Sequence, residues 1–266
     1  MPRIRVNGAE LYYEEQGSGA ETIFFSHGLL WSCRMFDEQV ASLRDRYRCI
    51  AFDHRGQGQS EVTRDGYDME TLYQDAAAMI EELGHGPCHF LGLSMGGFIG
   101  MRLAARRPEL LKSLLLLDTS ADPESTEHIS QYKQLAFIGR WTGLSMVSGP
   151  VMKTMFGQKF LNDPARSEQR REWRQRLINN NRIGSARATM GVVNRQNVYD
   201  ELEKISIPTL IIVGEQDVAT PPENAQRLHD RIAGSQLVII PEAGHTSTVE
   251  EPEAVNDAIS TFLANL

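Results

Sequence analysis

Hydrophobic positions change their period along this chain in a way that marks out its elements. At the start, Ile4 and Val6 alternate with polar residues, and Asn7-Gly8 separates them from Leu11, Tyr12 and Tyr13. Alternation on either side of an Asn-Gly pair predicts a hairpin with a two-residue left-handed turn. Short apolar runs then alternate with amphipathic stretches. Ile23, Phe24 and Phe25 precede a helical pattern over 34–43, 49–52 precedes 69–83, 88–91 precedes 97–106, and 114–117 ends at Asp118. Apolar runs joined by helical crossovers predict a parallel sheet covered on both faces.

From Ala121 to about Asn197 this rhythm stops. Only helical patterns occur there, carrying Trp141, Met146, Met152, Phe156 and Trp173, and arginines crowd the third of them at Arg166, Arg170, Arg171, Arg174 and Arg176. Strand patterns resume at 209–213 and 236–240. The last helix is predicted to start near Pro252, a residue favoured in a first helical turn. The expected organisation is an α/β core, 1–121 and 197–266, interrupted by a helical cap over 122–196.

Composition narrows the function. The 266 residues are 41% hydrophobic and 23% charged, with a formal net charge of -8. A chain of that sign lacks the basic footprint that nucleic acid or an anionic membrane requires. The N-terminal residues are polar, and no apolar run approaches the length of a bilayer span. Cys33, Cys49 and Cys88 show no Cys-x-x-Cys spacing, and the last two sit in apolar runs where a thiol behaves as a small core residue. These features predict a soluble protein of the reducing cytoplasm.

Gly92-Leu93-Ser94-Met95-Gly96-Gly97 carries the chemistry. An apolar strand runs into it and a helix leaves it. So abrupt a turn forces the central residue into a strained backbone conformation, and glycines on either side remove side chains that would collide. The serine hydroxyl is lifted off the sheet, and the amides that follow lie at a helix N-terminus, where developing negative charge is favoured. Gly143-Leu144-Ser145-Met146 has the same spelling, but Val147 replaces the second glycine and no strand precedes it. Context, not spelling, singles out Ser94.

A serine nucleophile needs a base and an acid to orient it. Of seven histidines, His245 lies in a loop just after the last strand, at the carboxyl edge of the sheet where ligands bind in open α/β folds. Asp217 follows the strand pattern 209–213, and Asp118 at the end of 114–117 faces the same edge. Asp217 is favoured because it gives the chain order Ser, Asp, His.

With these residues assigned, the whole chain resembles the α/β-hydrolase superfamily. The resemblance rests on Ser26-His27-Gly28-Leu29-Leu30, Asp53-His54-Arg55-Gly56-Gln57-Gly58-Gln59-Ser60, the serine turn, and the loops of Asp217 and His245. It is most similar to the group of 3-oxoadipate enol-lactonases, carboxylesterases and cofactor-free perhydrolases. That resemblance implies an eight-stranded, mostly parallel sheet flanked by helices, with the cap inserted after the sixth strand. It also implies an oxyanion hole formed by the amides of Leu29 and Met95, each such donor being worth about 3 to 4 kcal/mol in the transition state. Asp53, His54 and Arg55 then read as scaffold. No metal-ligand spacing is present and no cofactor is expected. A serine at position 94 argues against dehalogenase or epoxide-hydrolase chemistry, which uses aspartate there.

The predicted reaction is acyl transfer from a small ester or lactone through an acyl-enzyme. Trp31, Cys33 and Phe98 are expected near the pocket, with Phe137, Trp141, Met146, Met152 and Met155 as its roof. The arginines from Arg166 to Arg187 read first as a solvated helix face and second as a contact for a substrate carboxylate. Cleavage of small carboxylic esters is the leading expectation. A lactonase or carbon-carbon bond hydrolase of aromatic degradation is the second, and a slow-turnover ligand receptor the third. The sequence leaves the oligomeric state open.

Overall fold

The computed structural model describes residues 2–266. Strands β1 (Arg3–Val6) and β2 (Ala9–Gln16) pair antiparallel around Asn7 and Gly8, whose φ values of 46° and 78° are those of a left-handed two-residue turn. Next come β3 (Thr22–Ser26), α1 (Asp37–Leu43), β4 (Arg48–Phe52), α2 (Met69–Leu83), β5 (Cys88–Leu93), α3 (Met95–Arg106) and β6 (Leu111–Leu117). Five helices follow: α4 (Thr126–Thr142), α5 (Ser148–Met155), α6 (Gln158–Asn162), α7 (Ser167–Asn179) and α8 (Arg182–Val193). The chain closes with β7 (Thr209–Gly214), α9 (Pro222–Arg231), β8 (Gln236–Ile240), α10 (Ser247–Glu250) and α11 (Pro252–Ala264).

The strands form one eight-stranded sheet in the order β1-β2-β4-β3-β5-β6-β7-β8. Only β2 and its two pairings are antiparallel; β4 through β8 run parallel. Strands β3, β5 and β7 are buried along their full length, which is why they read as continuous apolar runs and not as alternation. Alternate residues serve opposite faces. Phe24, Phe90, Leu116 and Ile211 join a core with Met79 of α2, Ile99 of α3 and Leu228 of α9. Phe25, Leu91, Leu115 and Ile212 join another with Leu43 of α1 and Ile259 of α11.

The parallel strands aim their carboxyl ends at one edge, over which α4 to α8 lie. Backbone seats this helical layer on the loop between β4 and α2. A Cβ at Gly184 of α8 would run into the Gly56 carbonyl, and one at Gly191 into that of Tyr67. Trp31 anchors the layer from below. Its ring meets Trp173 edge-on at 5.2 Å and Phe156 at 5.8 Å.

Candidate active site

Strand β5 ends at Leu93 and α3 begins at Met95, leaving Ser94 alone to make the turn at φ 52°, ψ -111°. Positive φ is costly for a residue with a Cβ and persists only where its surroundings enforce it. Here the Ser94 amide donates to the Leu117 carbonyl at 2.8 Å, and its own carbonyl accepts from Gly97 N, Phe98 N and Thr119 Oγ1. Neither flanking glycine can be replaced without a backbone collision. A Cβ at Gly92 would strike the Gly96 carbonyl, and one at Gly96 would strike that of Ser26.

The hydroxyl so presented donates to His245 Nε2 at 2.8 Å, and His245 Nδ1 donates to Asp217 Oδ2 at 2.8 Å. All three side chains are buried, on loops that follow β5, β7 and β8. Asp217 is fixed by its own turn. Its Oδ1 accepts from the amides of Ala219 and Thr220, and its Oδ2 from Thr220 Oγ1, a hydroxyl also 3.3 Å from His245 Nδ1. Burial disfavours protonation of His245, but the charge and hydrogen bond of Asp217, with Asp118 and Glu250 nearby, outweigh it and raise its pKa.

Asp118, the alternative acid, faces the same edge but touches neither ring nitrogen of His245. Its Oδ1 accepts from the Gly214 amide at 2.8 Å and its Oδ2 from Ser247 Oγ at 2.6 Å. Full burial, with the neighbouring Asp217 carboxylate adding, pushes its carboxyl up to about 8.

Gly28 lies against the serine turn, where an added Cβ would sit 3.4 Å from Ser94 Cβ. The adjoining amides of Leu29 and Met95 make no hydrogen bond among the described residues, so both remain available as donors. The Leu30 amide, in contrast, is taken by Gln57 Oε1 at 2.7 Å. Asp53 pins the same loop by accepting from Cys33 N, and Arg55 pairs with buried Asp75. His27 uses both ring nitrogens on backbone, accepting from His54 N and donating to the Gly28 carbonyl. These groups are engaged with the loop backbone and with one another.

Beside Ser94 and His245 lies a cavity of about 90 Å³ with mostly aliphatic walls, including Leu144, Val147, Val151 and Met155. Of the aromatic and methionine residues expected there, Phe98 and Met155 line it. Trp31 does not, because it is wedged between Phe156 and Trp173, and Met152 is buried in that same core. Trp141 and Met146 face away and are 65% and 68% exposed. Leu144, Val147, Val151 and Met155 recur at the three- and four-residue spacing of one helical face, the signal that would have found the roof.

The arginine run also differs from expectation. Arg171 is exposed, but Arg166 grips Glu251 and the Glu250 carbonyl, and Arg170 donates to the carbonyls of Phe160 and Asp163. They fasten the helical layer. Arg182 and Arg195 reach the cavity wall, and Arg195 is committed to Glu124 at 2.7 Å. Glu250, unremarked in the sequence, accepts from Thr246 and from the Gly157 amide, tying the His245 loop to α6.

A sequence profile of the alpha/beta hydrolase fold matches residues 21–252, and the chain belongs to that family. It is 30% identical over 244 residues to a 3-oxoadipate enol-lactonase of Acinetobacter baylyi, covering 91% of this chain and 88% of that one. Among solved structures it is similar to a thermophilic esterase from Thermogutta terrifontis, with a TM-score of 0.92, 30% identity, and coverage of 100% and 99% of the two chains. The enol-lactonase of Burkholderia xenovorans LB400 also superposes with a TM-score of 0.92, at 28% identity over 99% of this chain and 100% of that one. No described helix is long and apolar enough to cross a membrane.

Proposed function

We propose that this chain hydrolyses small carboxylic esters through an acyl-enzyme, with Ser94 as nucleophile, His245 as general base and Asp217 as its orienting acid. The observation that carries the reading is the unbroken relay from Ser94 Oγ to His245 Nε2 and from Nδ1 to Asp217, each step 2.8 Å, at the wall of an apolar cavity. His245 takes the Ser94 proton as Oγ attacks the ester carbonyl carbon. The free amides of Leu29 and Met95 receive the oxyanion. The alcohol leaves with the proton held by His245, and a water deprotonated by the same imidazole then attacks the acyl carbon and releases the acid.

The cavity favours an uncharged acyl group. Its walls are mostly aliphatic, and Arg195, the buried cation at its edge, already carries Glu124. Residues 122–196 act as the cap that supplies those walls. The second reading, an enol-lactonase, is supported by the likeness to two such enzymes and by exposed Arg182, which has no ion-pair partner among the described residues and could meet a substrate carboxylate.

A panel of p-nitrophenyl esters of graded acyl length and an acidic enol-lactone, run on wild type and Ser94→Ala, tests both. Turnover of short neutral esters is expected, falling by about four to six orders of magnitude in kcat in the variant. Activity retained above about a thousandth of wild type would remove Ser94 from the mechanism. Turnover of the lactone without the esters would select the second reading.

A further inference from the structure

Outside the cavity, a cleft of about 800 Å³ opens between α4, α8 and the loop leading into α2. Its lining is cationic in a protein whose net charge is -8. Arg64 comes from the loop, Lys133 and Arg140 from α4, and Arg187 from α8. Arg64, Lys133 and Arg140 make no ion pair or hydrogen bond among the described residues, and the one hydrogen bond found for Arg187 goes to the Thr63 carbonyl.

The acidic side chains in the cleft are largely committed elsewhere. Glu70 is held by Arg102 and Arg106, and Asp68 caps α2 by accepting from Thr71. Asp65 and Asp68, neither of them ion-paired among the described residues, are left to oppose four cations that also lack an ion-pair partner. Like charges gathered on three separate segments repel one another, and an arrangement of this kind is relieved by a bound anion. Phe137, 66% exposed on the same wall, adds an apolar face.

We propose that this cleft binds a small phosphate-bearing molecule, its phosphate oxygens taken by Arg64, Lys133, Arg140 and Arg187 and its organic part set against Phe137. Arginine and lysine together supply the several donors a phosphate dianion needs, and the cleft is roomy enough for a phosphate ester. Its position narrows the role. Ala136, Ala186 and Arg195 line both the cleft and the cavity beside Ser94, so the two are neighbours across one layer of side chains. The same chemistry therefore has two sources: the leaving group of an ester whose acyl half occupies the cavity, or a separate phosphorylated ligand. The leaving-group role rests on the ester-hydrolase reading; binding itself does not.

The test is calorimetric titration of the wild-type chain with inorganic pyrophosphate at low ionic strength, repeated on a Lys133→Ala, Arg140→Ala double variant. A control variant, Arg5→Ala with Arg171→Ala, loses equal charge at exposed sites outside the cleft. Binding is expected in wild type and control, weakened about tenfold or more in the double variant. No binding, or equal affinity in all three proteins, overturns the proposal. Kinetics with a neutral ester then separate the sources: pyrophosphate that raises KM alone marks a leaving-group subsite, and any other effect on turnover, or none, marks a separate ligand. Absence of ester turnover with binding intact would defeat the hydrolase reading and leave the anion site standing.

Discussion

Asp118 Oδ2 accepts the Ser247 hydroxyl at 2.6 Å, two residues beyond His245, while Asp118 Oδ1 accepts the amide of Gly214, three residues before Asp217. One buried carboxyl thus ties together the two loops that carry His245 and Asp217. Asp118 sits in the left-handed region at φ 45°, directly after β6, so the turn itself aims the side chain between them.

This division of labour separates the two aspartates by mutation. Asp217→Asn leaves His245 Nδ1 facing an amide and favours the wrong imidazole tautomer, so kcat on a short ester is expected to fall by about 10⁴. Asp118→Asn keeps an acceptor for Gly214 and is expected to lower kcat by no more than about tenfold, since it bonds to neither reacting group. Comparable losses at the two positions would contradict the assignment.

The same carboxyl predicts an uneven stability profile. Its folded pKa, about 8, lies above the ordinary 3.8, so the fold prefers its protonated form. That preference is fully present below the unfolded pKa and is lost as pH rises through the folded one, over a window of about 4 to 8. Asparagine carries no such penalty. Thermal denaturation of Asp118→Asn should therefore improve relative to wild type as pH increases across that window, whereas a constant difference in Tm would refute the sign.

Activity should follow His245. Only the neutral imidazole can take the serine proton, and the Asp217 charge lifts the pKa above the usual histidine value of 6.5. A plot of kcat/KM against pH is expected to rise with an acid-limb midpoint above that value. The midpoint should move to lower pH in Asp217→Asn, measured on whatever residual activity remains.

Chain-length preference should lie in the aliphatic wall. Met155→Ala and Val151→Ala enlarge the cavity and are expected to shift the optimum towards longer acyl groups, at a stability cost of about 1 to 4 kcal/mol each. Trp141→Ala, on an exposed face, should change kcat/KM by less than about twofold and stability by under about 0.5 kcal/mol. Esters of graded length assayed on all three variants measure the first effect, and denaturant unfolding of the same variants measures the second.

What the sequence made legible was whatever depends on neighbours along the chain. The hairpin at Asn7-Gly8, the buried parallel strands and the glycine-flanked turn at Ser94 each follow from local spacing and backbone sterics. His245 and Asp217 were reachable because both lie just past strand ends, and parallel strands collect those ends at one edge. Trp31, Trp141 and Met146 were misplaced for the opposite reason: whether a large apolar side chain faces the cavity, another helix or solvent is decided by how α4 to α8 settle on the core. Thr220, Glu250 and the bridging role of Asp118 are tertiary in the same sense, since their partners lie on loops far apart in sequence.

Gly184 lets α8 sit directly against the Gly56 main chain, where an added Cβ would run into the carbonyl, and its neighbours Ser185 and Ala186 line the cavity beside Ser94. The α8 side chains that face the chamber are therefore held as close to the core as a residue without a side chain permits. A methyl inserted at that joint must push one backbone away from the other, so the fit of the chamber is expected to respond to a residue that does not itself line it.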